Sequence, residues 1–251
     1  MAINNWKHFK VSKMTQYSPA WAHGEIKEIF SNIFIVMGTN ITIHEGTELQ
    51  HSCNMVIVKN ANELTLINTV RLNDKGLATL DNLGQVTNVV RIGAFHGRHD
   101  AFYIDRYLAK FWALKGMNDE NKKCTDIELI PNGKMPFPDC SLFVFETSVH
   151  PEGILHINRE SGIIITCDSV KNWTSSDEFF NKHTEKLYRT LGFFGFATIS
   201  KIWQQACNVQ AQDLMRLKFL SFHHLLSAHG EPLINEAYEK LAATIKQEFG
   251  I

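Results

Sequence analysis

The chain has 251 residues, 44% of them hydrophobic and 20% charged, with a formal net charge of −1. That is ordinary globular composition, with enough apolar residues for a sizeable core. The near-neutral balance and the lack of a basic tract exclude a general polyanion binder, so neither nucleic acid nor a membrane surface is an expected partner. In chain order, Glu25 to Phe30 leads into a first apolar strand, Ile33 to Met37. Thr39 to Leu49 alternates loosely, as a hairpin arm does. Met55 to Val58 and Leu64 to Asn68 read as the next strands, with Lys59 to Asn62 as the turn between them. All of these read as successive antiparallel strands. Asp74 to Leu83 puts Leu77, Leu80 and Leu83 on one helix face. Val86 to Ile92 is a strand again. Ala101 to Leu114 predicts a helix, with Tyr103, Tyr107 and Phe111 at helical spacing. Ile127 to Ile130 and Leu142 to Phe145 are short strands. Gly153 to Ile157 and Gly162 to Cys167 form a hairpin around the polar turn Asn158 to Ser161. Thr174 to Phe219 is mainly helical, Phe222 to Leu226 is a last strand, and Pro232 opens a final helix to Phe249. This order suits two packed sheets with helices outside.

No Pro-, Gly- or Ser-rich linker interrupts the chain, so a single domain over residues 1–251 is expected. The five cysteines (Cys53, Cys124, Cys140, Cys167 and Cys207) are scattered, with no Cys-x-x-Cys pair. They read as reduced thiols, not a disulfide frame or a zinc knuckle. Met1 to His8 carries no apolar signal core, and no run is long enough to span a bilayer. The expected location is therefore cytoplasmic.

Chemistry concentrates where strands end. The stretch Gly93-Ala-Phe-His-Gly-Arg-His-Asp-Ala-Phe-Tyr103 brings His96, His99 and Asp100 to the end of an apolar run. Imidazole nitrogens and carboxylate oxygens together suit zinc, iron or manganese. His150 follows Phe143 to Val149 and precedes Pro151-Glu152-Gly153. Asp168 closes the apolar run Ile163 to Cys167. His229 follows Leu225 to Ala228 and precedes Gly230-Glu231-Pro232. Four strand ends, each carrying His or Asp, are not readily explained by surface exposure.

This order resembles the metallo-β-lactamase superfamily, over roughly residues 30 to 245. His96 matches the first His of that family's His-x-His-x-Asp-His turn, and Asp100 matches its Asp. His150, Asp168 and His229 match the later His, the bridging acid and the final His. Leu64 to Thr69 matches the early strand that usually ends in Asp. The resemblance implies an αββα sandwich of the α+β kind, in which these five side chains converge at one edge of the sheets. The chain departs from the pattern at Arg98 and Ala101, where histidines are expected, and at Asn68, where an acid is expected. What remains, His96, His150 and Asp168, is a two-His, one-carboxylate set able to hold one metal ion. Asp100 and His229 would then be the catalytic groups that place a water or move its proton. His99, one position out of register, is read as a surface residue facing away, with an added ligand role as the alternative. Arg98 is read as the partner of Asp100 or Asp168 where a cation is missing. Cys167 and the pair His223 and His224 read as structural. Trp112, Trp173 and Trp203 read as core, with a substrate mouth as the alternative.

The resemblance implies a metal-dependent hydrolase of a small ester, lactone or thioester, with one zinc ion. Two alternatives stand beside it. One is a mononuclear iron oxygenase resembling persulfide dioxygenases. The other is a metal-free binding or scaffold protein on the same fold. The expected partner is a small-molecule substrate, and a homodimer is left open.

Overall fold

The β-branched runs of the sequence separate into two sheets in the computed structural model, which describes residues 17–117 and 124–250. The stretch read for a signal sequence, Met1 to His8, lies outside the described residues. The larger sheet contains, in spatial order, β1 (Lys27–Phe30), β2 (Ile33–His44), β3 (Thr47–Asn60), β4 (Glu63–Ile67), β5 (Gln85–Arg91), β6 (Lys110–Leu114) and β7 (Ile127–Leu129). β1 to β4 pair antiparallel, and β4 to β7 pair parallel. The smaller sheet contains β8 (Cys140–Val144), β9 (Gly153–Ile157), β10 (Ile163–Thr166) and β11 (His224–Ser227), with only β10 and β11 parallel.

Both sheets bury near-continuous apolar strands, as expected where each face is covered. One core lies between the sheets and includes Ile33, Met55, Ile57, Leu66, Ile165 and Leu226. A second lies on the far face of the smaller sheet and includes Ile164, Trp203, Leu225 and Leu241. The helices are α1 (Asp74–Leu83), α2 (Asp100–Tyr107), α3 (Lys182–Thr190), α4 (Lys201–Cys207), α5 (Ala211–Leu217) and α6 (Ala237–Phe249). Asn73, Asn181 and Ser200 cap α1, α3 and α4 with side-chain oxygens. No helix among the described residues is long and apolar enough to cross a membrane.

Several elements differ from the sequence reading. Ile33 to Met37 and the arm from Thr39 are one continuous strand, β2, paired with β3 from Ile33–Val58 to His44–Thr47. The helix expected over Ala101 to Leu114 stops at Tyr107, where Leu108 takes a left-handed conformation (φ 52°). Phe111 then lies on β6, so the aromatic spacing was coincidence beyond that point. The 174–219 region is broken into three short helices. Pro232 does not open the last helix. Leu233 instead exchanges two backbone hydrogen bonds with Leu225 of β11, and α6 begins at Ala237.

The loop after β11 is held tightly. Asn54 on β3 donates from Nδ2 to the carbonyls of Ser227 (2.9 Å) and Gly230 (2.6 Å), and its N–H bonds to Ala228 O. Gly230 adopts φ +87°, and a Cβ there would overlap the backbone of Asn172 and Trp173. Gly230→Ala should therefore cost about 2–3 kcal/mol, read by urea unfolding, because left-handed strain and a clash with immovable backbone add together.

Candidate metal and catalytic site

Three of the residues singled out from sequence meet at one edge of the two sheets. His96 Nε2 lies 3.0 Å from His229 Nε2 and 3.4 Å from Asp168 Oδ2. His229 Nε2 lies 3.3 Å from Asp168 Oδ1. Donors on a tetrahedral zinc stand about 3.3 Å apart, given bonds of about 2.0–2.1 Å, so these spacings fit one ion among the three. Two ring nitrogens this close cannot both aim a lone pair at each other. Either one carries a proton or a cation sits among them.

His229 is prepared for ligation. Its Nδ1 is 3.3 Å from Ser52 O, and the hydrogen on Nδ1 leaves Nε2 with the lone pair. Burial pushes the His229 imidazole down to about 3, against the pull of Asp168, so it is neutral. Burial lowers His96 as well. Asp168 behaves oppositely. Its burial alone would raise the carboxyl, but the Lys171 ammonium beside it holds it well below the usual carboxylate range. Lys171 Nζ is 2.9 Å from Asp168 Oδ1 and faces the rings of Trp173 and Phe193.

Cys167 joins this group, because one donor atom each from His96, Cys167 and Asp168 lies within 4.8 Å of the others. Burial, then the Glu152 and Asp168 carboxyls, push its thiol far up, which favours the protonated form in the absence of a metal. Sequence reading missed Lys171, His51 and Glu152. Lys171 carried a weak signal, three residues past Asp168. His51 stacks between His229, Trp173 and Tyr188, and gave no signal because it lies mid-strand on β3.

The other expected site residues go elsewhere. His150 is exposed and packs its ring on Phe95, 5.2 Å away. The loop turns Glu152 inward instead. Its Oε1 accepts from the Ser169 N–H, and its Oε2 is buried with no partner. Burial, with the Asp168 carboxylate nearby, raises the Glu152 carboxyl well above the ordinary value. His99 is not a surface residue. It is buried against Trp21, and burial lowers it to about 4. Arg98 pairs with neither Asp100 nor Asp168. It donates to Ile41 O (3.2 Å) and lies 5.5 Å over Trp21.

Asp100 has a guanidinium partner, but it is Arg91, at the end of β5. Arg91 Nε donates to Asp100 Oδ2 at 2.8 Å, and Thr69 Oγ1 donates to Oδ1 at 2.6 Å. Both carboxylate oxygens are thus engaged, so Asp100 holds the turn in place and is not placed to shuttle protons. Gly97 makes room for this. It adopts φ +108°, and a Cβ there would overlap the Arg91 guanidinium. Asn68, also left-handed (φ 56°), donates from Nδ2 to Thr166 O and leaves Oδ1 buried without a partner. Trp112 and Trp203 are core, as expected, while Trp173 stacks on His229 with centroids 4.5 Å apart. His224 packs on Phe30, away from the site.

No family model matches the sequence, and no curated protein matches it. Solved structures do. DIM-1 metallo-β-lactamase exposed to ceftazidime is 16% identical, with a TM-score of 0.58 over 89% of this chain and 96% of that one. The metallo-β-lactamase FIM-1 from Pseudomonas aeruginosa, in its mono-zinc form, is 12% identical, with a TM-score of 0.58 over 91% and 97%. A metallo-β-lactamase from Erythrobacter litoralis is 13% identical, with a TM-score of 0.57 over 90% and 94%. The chain has the metallo-β-lactamase fold.

The two arginines make opposite predictions. Arg91→Ala leaves the Asp100 carboxylate buried without its cation and should cost about 3–5 kcal/mol of stability. Arg98→Ala removes a part-exposed hydrogen bond and a ring contact and should cost no more than about 1 kcal/mol. Urea unfolding of both variants checks the contrast.

Proposed function

We propose that this chain is a hydrolase of a small ester, lactone or thioester, working with one zinc ion held by His96, Asp168 and His229. The convergence of those three donors, at separations of 3.0 to 3.4 Å, carries the reading. His229 takes the place in the ligand set that sequence gave to His150. Zinc bound there would supply a Lewis acid and an acidified water at neutral pH.

The remaining residues bear on binding and orientation. Ser52 O fixes the His229 tautomer. Trp173 packs on His229, with Tyr188 and then Phe193 against it, so the cluster lies among aromatic rings, where charge interactions are strengthened. Lys171 sits beside Asp168, itself buried, so its ammonium offsets the carboxylate where no other cation is bound. A single ion is favoured over two. Asp100 is engaged by Arg91 and Thr69, Arg98 points at Trp21, His150 is exposed, and Asn68 is a neutral amide. Among the fold neighbours, FIM-1 was crystallised in a mono-zinc form.

Zinc titration by calorimetry, on protein freed of metal by chelator, tests the ligand set. His96→Ala, Asp168→Ala and His229→Ala should each weaken zinc binding by at least about 100-fold, and His150→Ala should leave it unchanged. Lys171→Met removes a positive charge next to the ion and should tighten zinc by about tenfold or more. Chromogenic ester, lactone and thioester substrates should be turned over only by the zinc-loaded protein. A parent protein that binds no zinc, or a His150→Ala variant that loses it, would overturn the reading.

A further inference from the structure

Two of the three proposed zinc donors, His96 and Asp168, stand on separate segments, the turn after β5 and the loop after β10. Their side chains approach to 3.4 Å. Bonds to a metal tolerate errors of only about 0.2 Å, so something must fix one segment against the other. Glu152 is bonded to both.

Its backbone holds the His96 side. Glu152 pairs with Gly93 in an antiparallel bridge. Beside that bridge, Ala94 N–H donates to Pro151 O (3.0 Å) and Gly153 N–H donates to Ile92 O (2.8 Å). Gly93 O in turn accepts from the His96 N–H at 3.3 Å. The side chain of Glu152 holds the Asp168 side. Its Oε1 accepts at 2.8 Å from the N–H of Ser169, the residue after Asp168. Glu152 is 1% exposed and Ser169 0%, so this bond lies out of reach of solvent. Gly93 leaves the space for it, since a Cβ there would overlap both Glu152 Oε2 and Cys167 Sγ. The carboxyl is wedged between the root of the His96 turn and the corner at Cys167 and Asp168.

We propose that Glu152 is a positioning residue, which sets the Asp168 carboxylate against the His96 imidazole through the Ser169 N–H on one side and the Gly93 pairing on the other. The inference rests on the zinc reading above and adds to it a residue that touches no metal. A side chain that ends short of Ser169 leaves a buried N–H without its acceptor. The loop then shifts to satisfy that N–H, and Asp168 shifts with it. His150, two residues earlier, is exposed. This loop therefore serves the site through Glu152, and not through a ligand of its own.

Zinc titration by calorimetry, on the full chain freed of metal by chelator, tests the role. Glu152→Ala should weaken zinc by about 10–100-fold, the usual loss when a group that orients a ligand is removed. Glu152→Gln keeps the accepting oxygen and should stay within about threefold of the parent. Glu152→Asp retains the carboxyl but is one methylene too short to reach Ser169. It should weaken zinc as Glu152→Ala does, and it replaces that variant if the alanine protein does not fold. Leu241→Ala, which opens a cavity in the second core, should lower the urea midpoint and leave zinc affinity unchanged. In an Asp168→Ala background, Glu152→Ala should add no further loss, because the ligand it positions is gone. The inference falls if Glu152→Ala and Glu152→Asp bind zinc as the parent does, if Glu152→Gln is as weak as Glu152→Ala, or if Leu241→Ala weakens zinc as much. It falls also if the loss from Glu152→Ala is undiminished in the Asp168→Ala background. Any of these results, with a parent that binds zinc through His96, Asp168 and His229, leaves the zinc reading standing. A parent that binds no zinc ends both.

Discussion

The bond from Arg91 to Asp100 sets the terms for everything at the sheet edge. A carboxylate with 1% exposure must have a counter-charge, and here the counter-charge is covalently part of β5. To reach Asp100, the guanidinium passes under the turn at Gly97, and only a residue without Cβ leaves that path open. The turn is therefore pinned at both ends. Asp100 starts α2, and His96 is thrown toward His229 and Asp168. A metal ligand one register further on would need Asp100 or the side chain at 98 to face inward. Arg91 has removed the first, and the contact of Arg98 with Trp21 has removed the second.

The same rule explains the second carboxylate. Asp168 is nearly as enclosed, and Lys171 gives it a cation at 2.9 Å. Two buried acids thus have two protein cations, one guanidinium and one ammonium. They differ in what they leave free. Arg91 and Thr69 engage both oxygens of Asp100. Lys171 sits on one oxygen of Asp168, and the other stays turned to His96 and Cys167. A flexible ammonium can also give way to a stronger cation, whereas a guanidinium locked beneath a turn cannot. The geometry thus leaves one oxygen of Asp168 open toward His96 and Cys167 and closes both oxygens of Asp100.

Much of the fold was legible, because strands buried on both faces carry their own signature. Met55 to Val58, Leu64 to Ile67, Val86 to Arg91 and Ile163 to Thr166 stand out as short runs rich in aliphatic and β-branched residues. Boundaries set by single backbone conformations were not legible. Nothing about Leu108 announces a left-handed residue, and that one torsion separates α2 from β6. At the site, His96, Asp168 and His229 stood out by their places at strand ends, and the structure brings the three side chains together. His150 shared that place and was misread, because sequence order does not say which of His150 and Glu152 a short loop turns inward. Arg98 was misread for a related reason. The guanidinium that Asp100 requires came from a strand seven residues upstream of Arg98, where an arginine after Val89 and Val90 looked like an ordinary strand end.

β3 holds the loop after β11, and its alternation shows how. Ser52 and Asn54 sit two residues apart, so both side chains project to one side of the sheet. Ser52 O accepts from His229, and Ser52 Oγ accepts from the Trp173 indole, which stacks on His229. Asn54 clamps the carbonyls on either side of His229. His229 is thus placed from β3, by Ser52 at the ring and its aromatic neighbour and by Asn54 at the loop on either side of it.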